Sequence, residues 1–476
     1  MRAPPSPFRL GRRDLAVALA ALLLLAATRL ATLASDPWEW DEVLFVNAVE
    51  KGFDVRAHRP HPPGYPLFVE AARGVAALGV DPFRAATLVA AAGGLLAAAG
   101  TAALLLALDV PFAFALLGGV FYALVPSVWI HAVRPLSDAP AAAALLLAAT
   151  ALVTAVRRRS PRSLAWGVVL SAAACCVRPQ TGAALVPLAL AAAVALRRVR
   201  GGPRALLASL ALGVGLSVAA WTPLVRGSGG WASFGTTLRS HARWVAENDT
   251  QPLGTVLSGK VQRRWWRDPF GVTELFWVVV GVAAAGAALA PRKALGLALV
   301  VGPLVATTVL VQSPGTAPRY VTVAMPALAG LFALGAWRLS TLRRGRAGVA
   351  VGAVLVLGAM AAVAVPRAVR LSGPTPSAAA LAALRDDPAF AGRTVVYTGE
   401  LTVHAERYLA GRPIRQAPDE GPIVLSPGEL GVANEREVEG LAAVRTFDLG
   451  DPLLGRLTRN RYRTVRVYDP GLPAGR

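Results

Sequence analysis

For about three quarters of its length the chain alternates long apolar stretches with short polar breaks, and then the pattern changes. Apolar runs at about residues 15 to 33, 85 to 107, 110 to 127, 139 to 156, 164 to 176, 181 to 196, 204 to 222, 274 to 290, 293 to 312, 321 to 338 and 347 to 365 approach the length a helix needs to cross a hydrocarbon core. They predict about eleven membrane-spanning helices, since only helices or closed barrels satisfy their backbone groups in lipid. From about Ser377 onward, helix-like patches ("SAAALAALRDD", "HAERYLAG") alternate with strand-like ones ("RTVVYTG", "GPIVLSP", "RTVRVYD"). The expected fold class is therefore an all-α polytopic membrane domain over residues 1–370, followed by a small extracytoplasmic α/β domain over 371–476.

Composition agrees: 55% of the 476 residues are hydrophobic and 16% charged, and the mean hydropathy is +0.51, too apolar for a soluble protein of this size. The formal net charge of +21 does not point to nucleic acid, because the arginines form no solvated basic arm. They punctuate the apolar runs instead, at Arg157, Arg158, Arg159 and Arg162, at Arg197, Arg198, Arg200 and Arg204, at Arg292 and Lys293, and at Arg338, Arg343, Arg344 and Arg346. All four clusters fall on one side of an eleven-span path, the cytoplasmic side by the positive-inside rule. The first run follows Arg9, Arg12 and Arg13 and reads as a retained signal anchor. The expectation is a bacterial plasma (inner) membrane protein with its amino terminus cytoplasmic and its tail outside. Cys175 and Cys176 are sequence neighbours within one run, which excludes a normal disulfide between them and leaves small core residues.

The outward segments then hold the chemistry, above all the loop from Ser35 to Phe83, "WEWDEVLFVNAVEKGFDVRAHRPHPPGYPLF" at its centre. Trp38 and Trp40 read as interface anchors, and "VLFVNAVEKG" and "LFVEAARGVAAL" as two short helices lying on the membrane surface. Asp41 and Glu42 between them suit proton removal from an acceptor hydroxyl or amine. The prolines and glycine of "HPPGYP" fix the backbone that carries His61 and Tyr65. "RPLSDAP" sets Arg134 and Asp138 at the outer end of a span, where Ser137 or Asp138 also makes a good helix cap. Arg178 in "VRPQT" and Arg319 in "APRYVT" run against the charge bias, and a guanidinium is suited to a phosphate oxygen pair. The long outer loop adds "KVQRRWWRDPF", with Lys260, Arg263, Arg264 and Arg267 around Trp265 and Trp266, a combination that suits a lipid headgroup. All five histidines lie in outward segments without metal-ligand spacing, so they read as hydrogen-bonding or surface groups rather than a zinc site; no cofactor is expected, and a divalent metal stays open.

In order and sidedness, "WDE" after the first span, "HPPGYPLF" on the same loop, "RPLSDAP" before the fourth span, "RPQ" between the fifth and sixth and "PRYVTVAMPAL" before the tenth resemble the GT-C superfamily of membrane glycosyltransferases. The similarity is to the branch with the protein O-mannosyltransferases and the lipid A aminoarabinose transferases. The resemblance implies that Asp41 is the catalytic acid/base with Glu42 supporting it, that His61 lies near the donor phosphate, that Asp138 is the second acid of the cavity, and that Arg319 with Tyr320 contacts a lipid-phosphate donor. With Tyr65, Arg134 and Arg178 these make the candidate substrate-binding set. The implied partners are a polyprenyl-phosphate-linked sugar, an acceptor that is a lipid, a glycan or a protein, and membrane lipids. Neither the β-trefoil insertion of the O-mannosyltransferases nor the tryptophan–aspartate signature of the oligosaccharyltransferases is evident. Two other readings stay open, a transporter or lipid-linked-sugar flippase, and an O-antigen-ligase-type enzyme centred on "KVQRRWWRDPF".

Overall fold

Each of the eleven apolar runs forms a helix. The computed structural model describes residues 10–248, 255, 258–311, 317–342, 345–434, 436–458 and 462–471. Arg9, Arg343, Arg344, residues 312–316 and the Lys260 side chain lie outside the described residues. The bundle comprises α1 (Arg12–Leu30), α4 (Pro82–Ala107), α5 (Phe112–Leu124), α7 (Asp138–Arg158), α8 (Pro161–Val177), α9 (Gly182–Leu196), α10 (Gly202–Gly227), α12 (Thr273–Leu289), α13 (Pro291–Val311), α14 (Met325–Ser340) and α15 (Gly345–Leu371). Between them lie α2 (Trp40–Lys51), α3 (Pro66–Ala76), α6 (Pro126–Ala132) and α11 (Gly230–Asn248). By length and apolar content alone, five described helices can cross a membrane, or up to seven if each of two bent pairs makes one span. Of the other runs, α8 and α14 are brief, and α1 carries charge at Arg12, Arg13, Asp14 and Arg29. Arg29 is buried against the Trp129 ring, 3.8 Å from its centroid, and donates to the Ala123 carbonyl.

Local signals set the helix starts. Proline occupies the first turn of α3, α4, α6, α8 and α10, where its missing N–H costs nothing. Asp81 caps α4 by accepting from Arg84 N–H, and Ser160 caps α8 by accepting from Ser163 N–H. Small residues let the spans approach closely: a methyl group at Gly93 of α4 would come within 2.5 Å of the Pro140 backbone of α7.

The tail forms α16 (Pro376–Asp386), α17 (Thr402–Tyr408) and a five-stranded sheet, with β1 (Thr394–Tyr397), β2 (Ile414–Gln416), β3 (Glu429–Asn434), β4 (Arg445–Asp448) and β5 (Thr464–Tyr468) in the order β2-β1-β3-β5-β4. β1 runs parallel to β2 and β3, while β5 is antiparallel to β3 and β4. "RTVVYTG" and "RTVRVYD" are strands as expected, whereas "GPIVLSP" contributes only an isolated bridge from Ile423 to Val438.

This domain sits on α2, and that corrects two expectations. α2 does not lie on a surface: Val43 and Leu44 pack against Val403 of α17, and seven of its residues are buried. Trp38 is not an interface anchor, being 1% exposed in a cluster with Leu371, Leu454 and Tyr462. Arg407 grips Glu50 with two hydrogen bonds of 2.7 and 2.9 Å, Tyr408 donates to Asp36 at 2.9 Å, and Thr375 donates to the Pro37 carbonyl at 3.0 Å.

Candidate active site

Glu39 is the extended residue just before α2, and Asp41 and Glu42 occupy its first turn, where the helix dipole favours negative charge. Consecutive helical residues point about 100° apart, so the two acids diverge. Glu42 turns inward, with its side chain fully buried. It accepts from the Trp38 N–H at 2.7 Å and from Arg134 at 2.6 and 2.9 Å, and Arg134 also reaches the Asp36 carbonyl.

Asp41 turns instead toward Arg319, in the turn Ala317–Tyr320 between α13 and α14. The Arg319 guanidinium meets three carboxylates: Glu39 at 2.9 Å, Asp41 at 2.6 Å and Asp138 at 3.4 Å. It also donates to the Tyr320 hydroxyl at 3.0 Å. Asp138 opens α7 and is held by Arg178, whose guanidinium lies 5.2 Å from the Tyr320 ring centroid and 5.7 Å from that of Tyr65. Burial pulls the Arg319 pKa down, and Tyr320, Asp41, Asp138 and Glu39 more than reverse that, so it is held firmly cationic. Ser137 makes no side-chain cap to α7; Asp138 serves the arginines instead.

His61 completes the group, its Nε2 3.6 Å from Asp41 Oδ1. The turn that carries it is tightly packed: Gly64 has φ +114°, and a methyl group there would come within 2.4 Å of the Leu224 side chain. Tyr65 follows in the left-handed region, φ 47°, as the residue before α3. Burial pushes the His61 pKa below its ordinary value, with Arg319 and Arg178 adding to the shift against the opposing pull of Asp41 and the Pro62 carbonyl. Exposure separates the acids: the side chain of Asp41 is 17% accessible, against 3% for Glu39, 2% for Asp138 and none for Glu42.

No family model and no curated protein matches the sequence. Among solved structures the chain is similar to ArnT, the lipid A aminoarabinose transferase, of Cupriavidus metallidurans bound to undecaprenyl phosphate, with a TM-score of 0.55 at 15% identity over 97% of this chain and 99% of that one. The apo state of that enzyme gives 0.53 at 14% identity with the same coverage. The Archaeoglobus fulgidus oligosaccharyltransferase in its apo form gives 0.53 at 12% identity, over 83% of this chain and 64% of that chain. The chain has the GT-C fold. With its apolar helices, that fold makes it an integral membrane protein.

Within the GT-C fold the structure brings Asp41, His61, Tyr65, Asp138, Arg178, Arg319 and Tyr320 to one place. Glu42 and Arg134 form a separate buried pair behind them. Arg264 and Arg267 of the tryptophan-rich loop are engaged by Asp268, and Arg264 also by the Gly455 carbonyl. Sequence reasoning missed Glu39, which binds Arg319, and His131, buried with Nε2 3.9 Å from Glu39. Glu39 stood in the motif itself, one residue ahead of the helix; nothing local marked His131. Among the described residues no group of three His, Cys, Asp or Glu is placed to hold a metal ion.

Proposed function

We propose that this protein is a membrane glycosyltransferase that moves a sugar from a polyprenyl-phosphate donor to an acceptor at the outer face of the membrane, with inversion and with Asp41 as general base. The observation that carries this reading is the guanidinium of Arg319 joined to three carboxylates, of which Asp41 alone is appreciably open. The donor is an anionic phosphodiester whose free oxygens suit such a guanidinium, so the donor phosphate sits at Arg319 and Arg178 while its chain lies between spans. Asp41 takes the proton of the attacking hydroxyl or amine. The bond between the anomeric carbon and the phosphate oxygen breaks with its electron pair going to the phosphate, where the arginines stabilise the charge. The ArnT neighbour was solved with undecaprenyl phosphate, which supports a lipid of this class. The arginine clusters at the bundle end opposite the site support a site that faces outward.

The test uses the full chain in lipid nanodiscs with a panel of radiolabelled undecaprenyl-phosphate hexoses, pentoses and aminosugars. Asp41→Asn should reduce transfer to membrane acceptors by at least about 100-fold while undecaprenyl phosphate still binds. Near-normal turnover in that variant would refute Asp41 as the base.

A further inference from the structure

His61 makes two contacts that together decide where its protons are. Its Nδ1 lies 2.8 Å from the carbonyl oxygen of Pro62, a group that only accepts, so Nδ1 carries a hydrogen. In the neutral ring Nε2 is then a bare lone pair. That atom is buried, has no hydrogen-bond partner, and faces Asp41 Oδ1 at 3.6 Å. The other Asp41 oxygen is occupied by Arg319, which fixes the carboxylate's orientation. Two acceptors thus face each other across a gap that a single proton would bridge. The imidazole cannot easily turn away, since Tyr65 packs edge-on at 5.0 Å and Phe45 is tilted at 5.9 Å.

Resting on the glycosyltransferase reading above, we infer that Asp41 and His61 form one proton-accepting unit, in which the proton that Asp41 removes from the acceptor passes to His61 Nε2 and leaves to water. The step balances: the acceptor O–H or N–H bond breaks, its electron pair forms the new bond to the anomeric carbon, and the phosphate departs with the pair of the old one. The proton moves from the acceptor to Asp41 and then to His61, leaving Asp41 ionised beside Arg319 for the next turnover. The charged and titratable groups facing His61 are Asp41 from α2, Arg319, Arg178, Tyr65 ahead of α3, and His241 from α11, whose ring centroid is 6.1 Å away. The two arginines make the imidazolium short-lived, and the His61 side chain, 15% accessible, has His241 beside its ring.

The sign of the pH dependence follows. Burial and the arginines hold the His61 pKa below the ordinary histidine value, so at neutral pH Nε2 is free to accept, and transfer should fall only as the pH drops through that lowered value. The first experiment is nitrogen NMR of the full chain in nanodiscs, with histidines labelled and His61 assigned by His61→Gln. The expected result is the neutral tautomer with hydrogen on Nδ1, and a titration midpoint that moves lower still in Asp41→Asn, where the attracting charge is gone. Hydrogen on Nε2, or a midpoint indifferent to Asp41, overturns the dyad. In transfer assays His61→Gln should lower kcat by about 100-fold and abolish the acid limb, with undecaprenyl phosphate affinity within about twofold of the parent. An unchanged kcat and limb, or lost lipid binding with kcat intact, overturns it equally. If no donor supports transfer while the NMR result holds, the glycosyltransferase reading fails and the proton pair stands.

Discussion

Arginine is abundant at both ends of this helical bundle and behaves oppositely at each. At the end that carries α2, the Arg134, Arg178 and Arg319 side chains are 2%, 8% and 3% exposed, and each is held by carboxylate. At the far end Arg157, Arg159, Arg162, Arg197 and Arg204 are exposed, and the described ion pair there joins Arg157 to Asp109, both open to solvent. Charge at the far end is screened by solvent. Charge at the near end is desolvated and held in ion pairs. An arginine count cannot tell the two apart, but the presence of buried partner acids does.

The comparison breaks most visibly at Arg319. Arg319→Ala would leave Glu39, Asp41 and Asp138 facing one another without their shared cation, and stranding buried charge costs about 3–5 kcal/mol. The expected outcome is loss of transfer, undecaprenyl phosphate binding weakened by about tenfold or more, and a lower unfolding temperature in nanodiscs; unchanged lipid affinity would refute the phosphate role. Glu42→Gln should come next. It removes the charge that pairs with buried Arg134, so it should destabilise the protein by about 3 kcal/mol while the surviving folded fraction keeps its kcat. A kcat loss as large as that of Asp41→Asn would move Glu42 from support to catalysis. The smallest effect belongs to the far end: Arg157→Ala should cost about 1 kcal/mol or less and leave transfer unchanged, because its carboxylate partner is solvated. A large thermal shift there would erase the contrast between the two ends.

The spans were legible because twenty-residue hydrophobicity is a local property, and every expected run is helical. The two helices of the loop from Ser35 to Phe83 were legible as helices, but the burial of α2 was not, since what covers it is supplied by α17 more than three hundred residues later. The same distance hid Glu39, whose partner Arg319 is 280 residues away. In the tail, β3 escaped notice because "ELGVAN" does not alternate apolar with polar positions: Leu430 to Asn434 are all buried. Packing at Gly431 is close: a methyl group would come 3.0 Å from Leu425 Cδ1 and 3.3 Å from Tyr468 Cβ on the neighbouring strand. The chemistry of Asp41, His61, Asp138 and Arg319 could be suspected from residue type and sidedness. Their convergence is a property of the assembled helices alone.

The grip of the C-terminal domain on the Asp41 loop also fixes an order of events during synthesis. Asp36 and Glu50 leave the ribosome early, yet Tyr408 and Arg407, which hold them, follow 372 and 357 residues later. At ordinary translation rates that is a wait of roughly twenty seconds to over a minute. Throughout it the spans can insert while the loop bearing the proposed base has nothing above it. A chain cut short before the tail would thus lack the Thr375, Tyr408 and Arg407 contacts that hold Pro37, Asp36 and Glu50 on either side of Asp41.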